Sequence, residues 1–377
     1  MINTLKTLRK SHKMTQTELA DKVSVTRKTI ISIENGTANP SIDLAYKIAG
    51  VFQLPLERIF LNKTTRSVDP RVDNFRFVDL FCGIGGFRFA AERLFKERND
   101  AFKCVFSSDI DEYACQSYEA NFGERPSGDI TKVRAQDVPD HDLLFAGFPC
   151  QPFSIIGLGK GFEDTRGTLF FEIARILAEK KPKAFVLENV KRLVSHEKGK
   201  TFKKILQTLL ELGYYVDYKI LNALDCGLPQ KRERVIIVGA NVPFHMTWPE
   251  KVKNGKKLKD VLEKNVPLKY YASQTIVERR KAAHRSDYHP AIWHENKSGN
   301  ISSYPYSCAL RAGASYNYLL VDGERRLTPR EMLRLQGFPD SFKIALGDSH
   351  IRKQAGNAVP VNMIYEVLKK FIPAVFL

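Results

Sequence analysis

The sequence contains no long hydrophobic run. Its 377 residues are 43% hydrophobic, yet no stretch approaches the roughly 18 uninterrupted apolar residues that a membrane-spanning helix needs. Residues 1–14 also lack the apolar core of a signal peptide. We therefore expect an intracellular protein that is long enough for a large α/β core and one or two smaller domains.

Cysteine is scarce and is never found in a CxxC pair. Neither a zinc site nor a disulfide framework therefore has local support, and we expect reduced thiols and no bound metal. The six cysteines are Cys82, Cys104, Cys115, Cys150, Cys226 and Cys308.

Acidic residues are too few to balance the basic ones. The chain has 59 Lys and Arg against 42 Asp and Glu, which gives a formal net charge of +17. A polyanionic partner is the commonest reason for such an excess, because basic side chains gain affinity by releasing counterions from phosphates. Nucleic acid is the first interpretation, and a generally basic soluble protein is the alternative.

Residues 1–61 have the pattern of a small helical domain. Thr15 with Glu18 forms a capping box at a helix start, and Asn-Gly at 35–36 ends the helix that begins at Thr26. Two helices joined by a turn of three or four residues are typical of a helix-turn-helix, whose second helix can enter a major groove with its first turn.

This segment resembles the repressor-type helix-turn-helix family in the strings MTQTELA, SVTRKTIISIENG and NPSIDLAYKIA. The resemblance implies operator binding, as a dimer, with contacts from Gln16, Thr26, Arg27 and Lys28. The alternative is a helical domain that docks onto another protein.

Beyond this domain the pattern changes three times. Residues 62–74 are polar and aperiodic, which predicts a linker, and at 75–240 strands and helices alternate as in a doubly wound, parallel α/β sheet. The alternation is lost at 241–326, which predicts an inserted domain, and resumes at 327–377. The predicted strands are 76–81, 103–107, 143–146, 184–187 and 235–238, and the predicted helices are 87–95, 168–180, 200–212 and 358–371.

Four unusual features follow predicted strands. They are a glycine turn at 83–86, Asp109, Cys150 between two prolines, and Glu188. Because ligands of open α/β sheets bind beyond the carboxyl ends of the strands, we expect one site there. The turn and Asp109 suit a nucleotide, and an exposed cysteine suits nucleophilic attack. Each feature also has a plainer explanation, as a tight turn, a helix cap or a structural cysteine.

Together these features resemble the DNA (cytosine-5) methyltransferases, especially the short bacterial enzymes of restriction-modification systems. The matching strings, in the order usual for the family, are DLFCGIGGF, SSDIDEYA, GDI, GFPCQPFS with GFEDTRGTLFFEIARI, LENV, QKRERV, TPREMLRLQGFP and QAGNAVPVNM.

The resemblance implies a nucleophilic Cys150 that adds to C6 of a flipped cytosine. Glu188 would hydrogen-bond N3 and the exocyclic amine, while Arg232, and then Arg234, would neutralise the carbonyl side and orient Glu188. The loop at 151–168 would be the lid, and its Gln151 and Ser154 would contact DNA.

The resemblance also implies S-adenosyl-L-methionine as cofactor, with Phe81 on the adenine and Asp109 on the ribose. The expected cofactor residues are Phe81, Gly83, Ile84, Gly85, Gly86, Asp109, Asp129, Ile130, Pro149, Asn357 and Val359. Two positions depart from the family pattern. Cys82 replaces a usual Ala or Ser, and Ala309-Leu310 stands where Thr-Leu is common, which puts one DNA contact in doubt.

The inserted segment at 241–326 stands where this family has its target-recognition domain. Within it, Arg311, Ser315 and Asn317 suit base reading, because arginine and asparagine make bidentate contacts with guanine and adenine. A run of lysines suits phosphates, although such a run is often only a solvated surface. These lysines are Lys251, Lys253, Lys256, Lys257 and Lys259.

Two other functions compete with this interpretation. One lineage with the same motifs methylates transfer RNA, but the helix-turn-helix and the sizeable insert argue against it. The chain could instead be a regulator with a vestigial enzyme, but intact Cys150, Glu188 and Arg232 argue against lost activity. We favour a dual role in the bacterial cytoplasm, associated with the nucleoid: an enzyme that protects host DNA from a restriction partner and represses a promoter.

Overall fold

The computed structural model describes residues 2–12, 14–52, 54, 56, 59–61, 75–149 and 169–376. The predicted linker at 62–74 lies outside this part of the chain. The N-terminal elements are β1 (Ile2–Asn3), α1 (Leu5–Ser11), α2 (Gln16–Lys22), α3 (Arg27–Glu34), α4 (Ile42–Phe52) and β2 (Phe60–Leu61).

The helix-turn-helix forms where its local signals predict. The Thr15 hydroxyl accepts from the Glu18 N–H at 3.1 Å, and a Glu18 carboxylate oxygen accepts from the Thr15 N–H at 2.6 Å. Thr26 caps α3 by accepting from the Thr29 N–H at 3.2 Å. The core of this unit is apolar, and its buried members include Leu5, Leu8, Leu19, Ile30, Ile33 and Ile48.

A six-stranded sheet forms the centre of the larger part of the chain. Its strands are β3 (Phe75–Leu80), β4 (Phe102–Ser108), β5 (Leu143–Gly147), β6 (Ala184–Val190), β7 (Tyr215–Asn222) and β9 (Glu233–Ala240). They lie in the order β4-β3-β5-β6-β9-β7.

The expectation of an all-parallel sheet is wrong at β9. This strand runs antiparallel to both β6 and β7, while the other neighbours are parallel. The reason is the short connection: only residues 223–232 join β7 to β9, whereas a parallel crossover needs a dozen or more residues and usually a helix. Strand β7 is also absent from the predicted set.

Helices cover both faces of the sheet, so the doubly wound α/β fold class is confirmed. Helices α5 (Gly86–Arg98) and α12 (Val361–Phe376) pack on one face, and α7 (Leu169–Lys180) and α8 (Lys200–Glu211) pack on the other. Helix α6 (Glu112–Phe122) connects β4 to the next part of the chain. None of the described helices is long and apolar enough to cross a membrane.

The segment predicted as an insert has a small sheet of its own. Its strands β10 (Ile292–Glu295), β11 (Ile301–Tyr304) and β13 (Leu319–Val321) are antiparallel and lie in the order β11-β10-β13. Strand β12 (Ser307–Cys308) pairs in parallel with β8 (Gln230–Lys231) beside the large sheet. The remaining helices are α9 (Gln274–Ala283), α10 (Pro329–Leu335) and α11 (Asp348–Asn357).

The helix-turn-helix unit lies against α8. Helix α1 contacts α8, and Leu210 near the end of α8 packs against the N-terminal core. Burial raises the pKa of Asp217 in β7, and the charge of Lys10 is among the groups that oppose this rise. Helix α8 ends just before β7 begins, and β7 runs in the same direction as β6 because both are antiparallel to β9. This contact therefore lies near the amino ends of the parallel strands, opposite to their carboxyl ends.

One sheet position allows no side chain at all. A Cβ on Gly239 of β9 would lie 2.1 Å from the buried ring of Phe185. We predict that Gly239→Ala lowers the free energy of unfolding by about 1–3 kcal/mol, as overpacked cores do. Urea unfolding measures this. The control is Gly347→Ala, where no atom lies within 4 Å. Equal stability of the two variants would contradict the packing argument.

Candidate active site

A cleft of about 640 Å³ opens at the carboxyl ends of the parallel strands. It brings together most of the residues that the sequence predicts for the site. Ten of the expected cofactor residues line it, together with both acidic and basic candidates for catalysis. These residues are Phe81, Gly83, Ile84, Gly86, Asp109, Asp129, Ile130, Pro149, Glu188, Arg232, Arg234, Asn357 and Val359.

Asp109 closes the glycine turn from the neighbouring strand. One carboxylate oxygen accepts from the Gly83 N–H at 2.7 Å, and the other accepts from the Asp111 N–H at 2.8 Å. Burial raises the pKa of Asp109, and these two N–H groups oppose the rise. The N-cap of α6 is Asp111, not Asp109. Asp109 therefore lines the cleft and is not the cap of α6.

Gly85 is the one expected cofactor residue that does not line the cleft. Its φ is +84°, and a Cβ there would lie 2.4 Å from the ring of Phe122. The glycine is therefore required by the backbone conformation of the turn and by packing behind it. Gly86 does face the cleft, and a Cβ there would lie 2.6 Å from the carbonyl oxygen of Val359.

Glu188 and Arg234 form a buried ion pair in the cleft. Arg234 Nε lies 2.7 Å from Glu188 Oε1, and the side chains of Arg234 and Glu188 are 13% and 10% exposed. The pairing of β6 with β9 places Val190 opposite Arg234, so Glu188 is its diagonal neighbour. Burial raises the pKa of Glu188, and the charges of Arg234 and Arg232 oppose this rise.

The two arginines of the QKRER segment have different partners. The guanidinium of Arg232 donates to the carbonyl oxygens of Leu310 at 3.0 Å, Gly356 at 3.0 Å and Ala358 at 2.9 Å. The expectation that Arg232 is the first arginine to orient Glu188 therefore needs correction. Arg234 makes the ion pair with Glu188, and Arg232 acts on Glu188 only through its charge.

Cys150, Gln151 and Ser154 lie outside the described residues. The chain reaches Cys150 directly after Pro149, which lines the cleft. The backbone just before Pro149 is held from β6, because the side-chain amide of Asn189 donates to the Phe148 carbonyl at 2.8 Å. Asn189 was not among the expected site residues, although it lies in the LENV string.

Two further cleft residues, Lys353 and Gln354, come from the C-terminal segment at 327–377 and were also not predicted. Lys353 Nζ lies 2.7 Å from a carboxylate oxygen of Asp111, and Gln354 donates to the Tyr113 carbonyl at 2.8 Å. The QAGN string contains Gln354, so the motif gave a usable signal for that residue. Lys353 precedes the string and had none.

Arg311 lies between the cleft and the insert. It is exposed and lines the cleft, its N–H donates to the Tyr318 hydroxyl at 3.0 Å, and its guanidinium lies 4.9 Å from the centre of that ring. The Ser315 and Asn317 carbonyls accept from Arg352 and Arg280. The backbone here is therefore fixed by arginines that were not predicted.

The expected DNA-binding residues of α2 and α3 lie close together. Thr26, Arg27 and Lys28 are exposed at the start of α3. The Gln16 amide donates to Glu34 at 3.0 Å and accepts from Arg27 at 3.5 Å. The first turn of α3 is thus free of covering structure within the described part of the chain.

We predict that Arg234→Met increases the pH dependence of stability that arises from Glu188. Without the first opposing charge, the pKa of Glu188 in the folded protein rises further above its value in the unfolded chain. The unfolded chain then loses the proton first, so the free energy of unfolding falls as pH rises between the two pKa values. Urea unfolding should show a loss of about 3–5 kcal/mol at about pH 8 and a smaller loss at about pH 5.

The control for this prediction is the double variant Arg234→Met with Glu188→Gln. It lacks the titrating carboxyl, as does Glu188→Gln alone, so the difference in free energy of unfolding between these two variants should be the same at both pH values. A difference that still changes with pH would assign the effect to another group.

Comparisons with known proteins agree with this geometry. The family model for C-5 cytosine-specific DNA methylase matches residues 75–372, and a helix-turn-helix model matches residues 5–59. Type II methyltransferase M.NgoBI of Neisseria gonorrhoeae is 55% identical over 309 residues, which cover 80% of this chain and 94% of that protein. Type II methyltransferase M.SsoII of Shigella sonnei is 41% identical over 387 residues, 98% of this chain and 97% of that protein.

A solved structure shows the same fold. The Entamoeba histolytica methyltransferase EhMeth superposes with a TM-score of 0.62 at 20% sequence identity, over 80% of this chain and 98% of that one. The family match, the relatives and the fold agree on one assignment. The chain belongs to the C-5 cytosine-specific DNA methyltransferases of the restriction-modification type, and it carries an N-terminal helix-turn-helix domain.

Proposed function

We propose that this enzyme uses Cys150 to methylate C5 of a flipped cytosine in a specific double-stranded DNA sequence, with S-adenosyl-L-methionine as methyl donor. One observation carries the proposal. The cleft combines the buried Glu188–Arg234 pair, Asp109 beside the glycine turn, and Pro149, which directly precedes Cys150. A nucleotide pocket and an acid beside a nucleophile are what this methyl transfer requires.

The cleft fits the proposed cofactor. Asp109 offers a carboxylate that suits ribose hydroxyls, and Phe81 offers an aromatic face in the same cleft. The absence of a side chain at Gly83 and Gly86 lets the backbone approach a ligand closely. Asp129, Ile130, Asn357 and Val359 complete the lining. When bound, S-adenosyl-L-methionine supplies an electrophilic methyl sulfonium.

The protein groups act on the cytosine ring. The Cys150 thiolate adds to C6, and Glu188 donates a proton to N3, so that the electron pair develops at C5 as an enamine. After methylation, a base removes the C5 proton, the C6–S bond breaks, the thiolate leaves and the N3 proton returns to Glu188. Burial raises the pKa of Glu188, which favours the protonated carboxyl that donates to N3, and Arg234 holds the carboxyl in place.

Recognition of the target is proposed for the insert and the rim of the cleft. The target atoms are inaccessible inside a duplex, so the cytosine must leave the helix. Arg311, Ser315 and Asn317 would read bases, and Gln151 and Ser154, which lie outside the described residues, would contact DNA near the flipped base. All five lysines of the run from Lys251 to Lys259 are exposed, which supports phosphate contacts.

The N-terminal domain is proposed to bind an operator and to repress transcription. It contacts α8 near the amino ends of the parallel strands, whereas the cleft lies at their carboxyl ends. This separation supports binding of the operator and of the methylation site at two different surfaces. Dimer formation is proposed through α4, where Ile42 and Tyr46 lie one turn apart and are 77% and 65% exposed. Protection of host DNA from a restriction partner completes the proposed role.

We predict that Cys150→Ser lowers methyl transfer to below about one thousandth of the wild-type rate, because it removes the nucleophile. Affinity for S-adenosyl-L-methionine should change little, since Cys150 is not among the proposed cofactor contacts. Tritium transfer and isothermal titration calorimetry measure the two quantities. Asp109→Ala is the matched contrast and should weaken cofactor binding. Substantial turnover by Cys150→Ser would overturn the proposed nucleophile.

We predict that replacing both Arg27 and Lys28 by alanine weakens promoter binding. The loss should be about 1–3 kcal/mol for each base contact that these two side chains make. Methyl transfer to short oligonucleotides should persist, because the cleft lies elsewhere. Gel-shift titrations and tritium transfer on the same preparations measure both. Loss of methyl transfer together with promoter binding would make the N-terminal domain part of the catalytic apparatus.

A further inference from the structure

Three buried polar side chains lie at the wall of the cleft, and one of them, Arg232, lines it. Gln230, Arg232 and Gln336 are each at most 2% exposed, and we call them the buried junction. They come from β8, from the residue that precedes β9 and from the end of α10. Polar groups this deeply buried lie where they do because of their hydrogen-bond partners.

The junction holds the segment that leads into the proposed base-reading residues. The Leu310 N–H donates to the Gln230 side-chain oxygen at 3.0 Å, and Arg232 donates to the Leu310 carbonyl at 3.0 Å. Strand β12, which precedes Leu310 in the chain, pairs with β8, so that Ser307 lies opposite Gln230. Both backbone groups of Leu310, next to Arg311, are therefore fixed by the junction.

The junction also holds the wall of the proposed cofactor pocket. Arg232 donates to the carbonyls of Gly356 and Ala358, on either side of Asn357. Gln336 donates to the Ala355 carbonyl at 2.5 Å. The two held segments also touch, since a Cβ on Gly356 would lie 2.3 Å from the Ala312 nitrogen.

Arginine is a costly choice for this position if its purpose is only to stabilise the fold. Burial lowers the pKa of Arg232 to about 9, and within the described residues its Nε–H has no hydrogen-bond partner. Well-packed apolar residues often replace buried charges without loss of stability. A planar guanidinium, however, has several donors in a fixed geometry, so it can hold two segments in one relative position.

We propose that Arg232 is a positioning residue that couples recognition of the DNA site to the cofactor pocket. The inference rests on the proposed function of the 311–317 segment and of the cleft. DNA bound to this segment shifts Leu310, and Arg232 transmits this shift to Gly356 and Ala358. Correct DNA therefore tightens cofactor binding, and by linkage the cofactor tightens binding of correct DNA.

The test is a comparison of cofactor affinities in the full chain. Calorimetry gives the Kd of S-adenosylhomocysteine, which cannot react, with a duplex that carries the site and with a scrambled duplex. The site is first obtained by sequencing methylated cytosines in DNA from expressing cells. The wild-type ratio of the two Kd values should be roughly 5–150, the usual range for coupled sites.

Two variants break the junction from opposite sides. Arg232→Met removes the guanidinium, and Gly356→Ala pushes the two segments apart. In each, the ratio should fall to within about two-fold of unity, whatever the Kd measured without DNA. Arg330→Met is the control, because Arg330 also donates to backbone carbonyls, those of Pro339 and Phe342, but touches neither segment. Its ratio should equal that of wild type.

The outcomes separate the two proposals. A wild-type chain that binds neither S-adenosylhomocysteine nor the duplex contradicts the proposed function itself. A wild-type ratio near unity, or a wild-type ratio retained in a folded Arg232→Met protein, contradicts only the coupling. If Arg232→Met fails to fold, Gly356→Ala decides: a retained ratio overturns the coupling, and a ratio near unity supports it.

Discussion

The antiparallel pairing of β9 with β6 is the constraint on which the site depends. Because β9 runs back across the sheet, its first residues meet the last residues of β6, and Arg234 reaches Glu188 at 2.7 Å. A parallel β9 would carry the QKRER segment to the other edge, about 25 Å away for a strand of this length. The same reversal places Arg232 against Leu310 and Ala358.

Local signals predicted local structure well. The capping box at Thr15 and the cap at Thr26 define their helices through neighbouring residues, and the sequence of the glycine turn specifies its own backbone. The direction of β9 was not predictable from periodicity, which is the same in either direction. The pattern predicted one site for the glycine turn, Asp109, Cys150 and Glu188. Arg232 and Arg234 joined this set only through the family resemblance, because the alternating pattern alone indicated an all-parallel sheet.

Arg232 was assigned a wrong partner for a related reason. Its carbonyl acceptors at 310, 356 and 358 lie far along the chain, and backbone acceptors leave no trace in side-chain motifs. The sequence shows two similar arginines two positions apart. Their different burial and strand register give them different partners. Arg234 pairs with the carboxylate of Glu188, while Arg232 is a buried cation whose charge is only partly compensated.

Covalent attack by Cys150 in this cleft is the central claim. The direct measurement is mass spectrometry of peptides from a complex with a duplex that carries 5-fluorocytosine at the target, because fluorine at C5 cannot leave as a proton. We expect the adduct on the peptide that contains Cys150. Cys82 also lines the cleft, but burial raises its pKa well above the usual range, so its thiol should be inert. An adduct on Cys82, or none with the correct site, would contradict attack by Cys150.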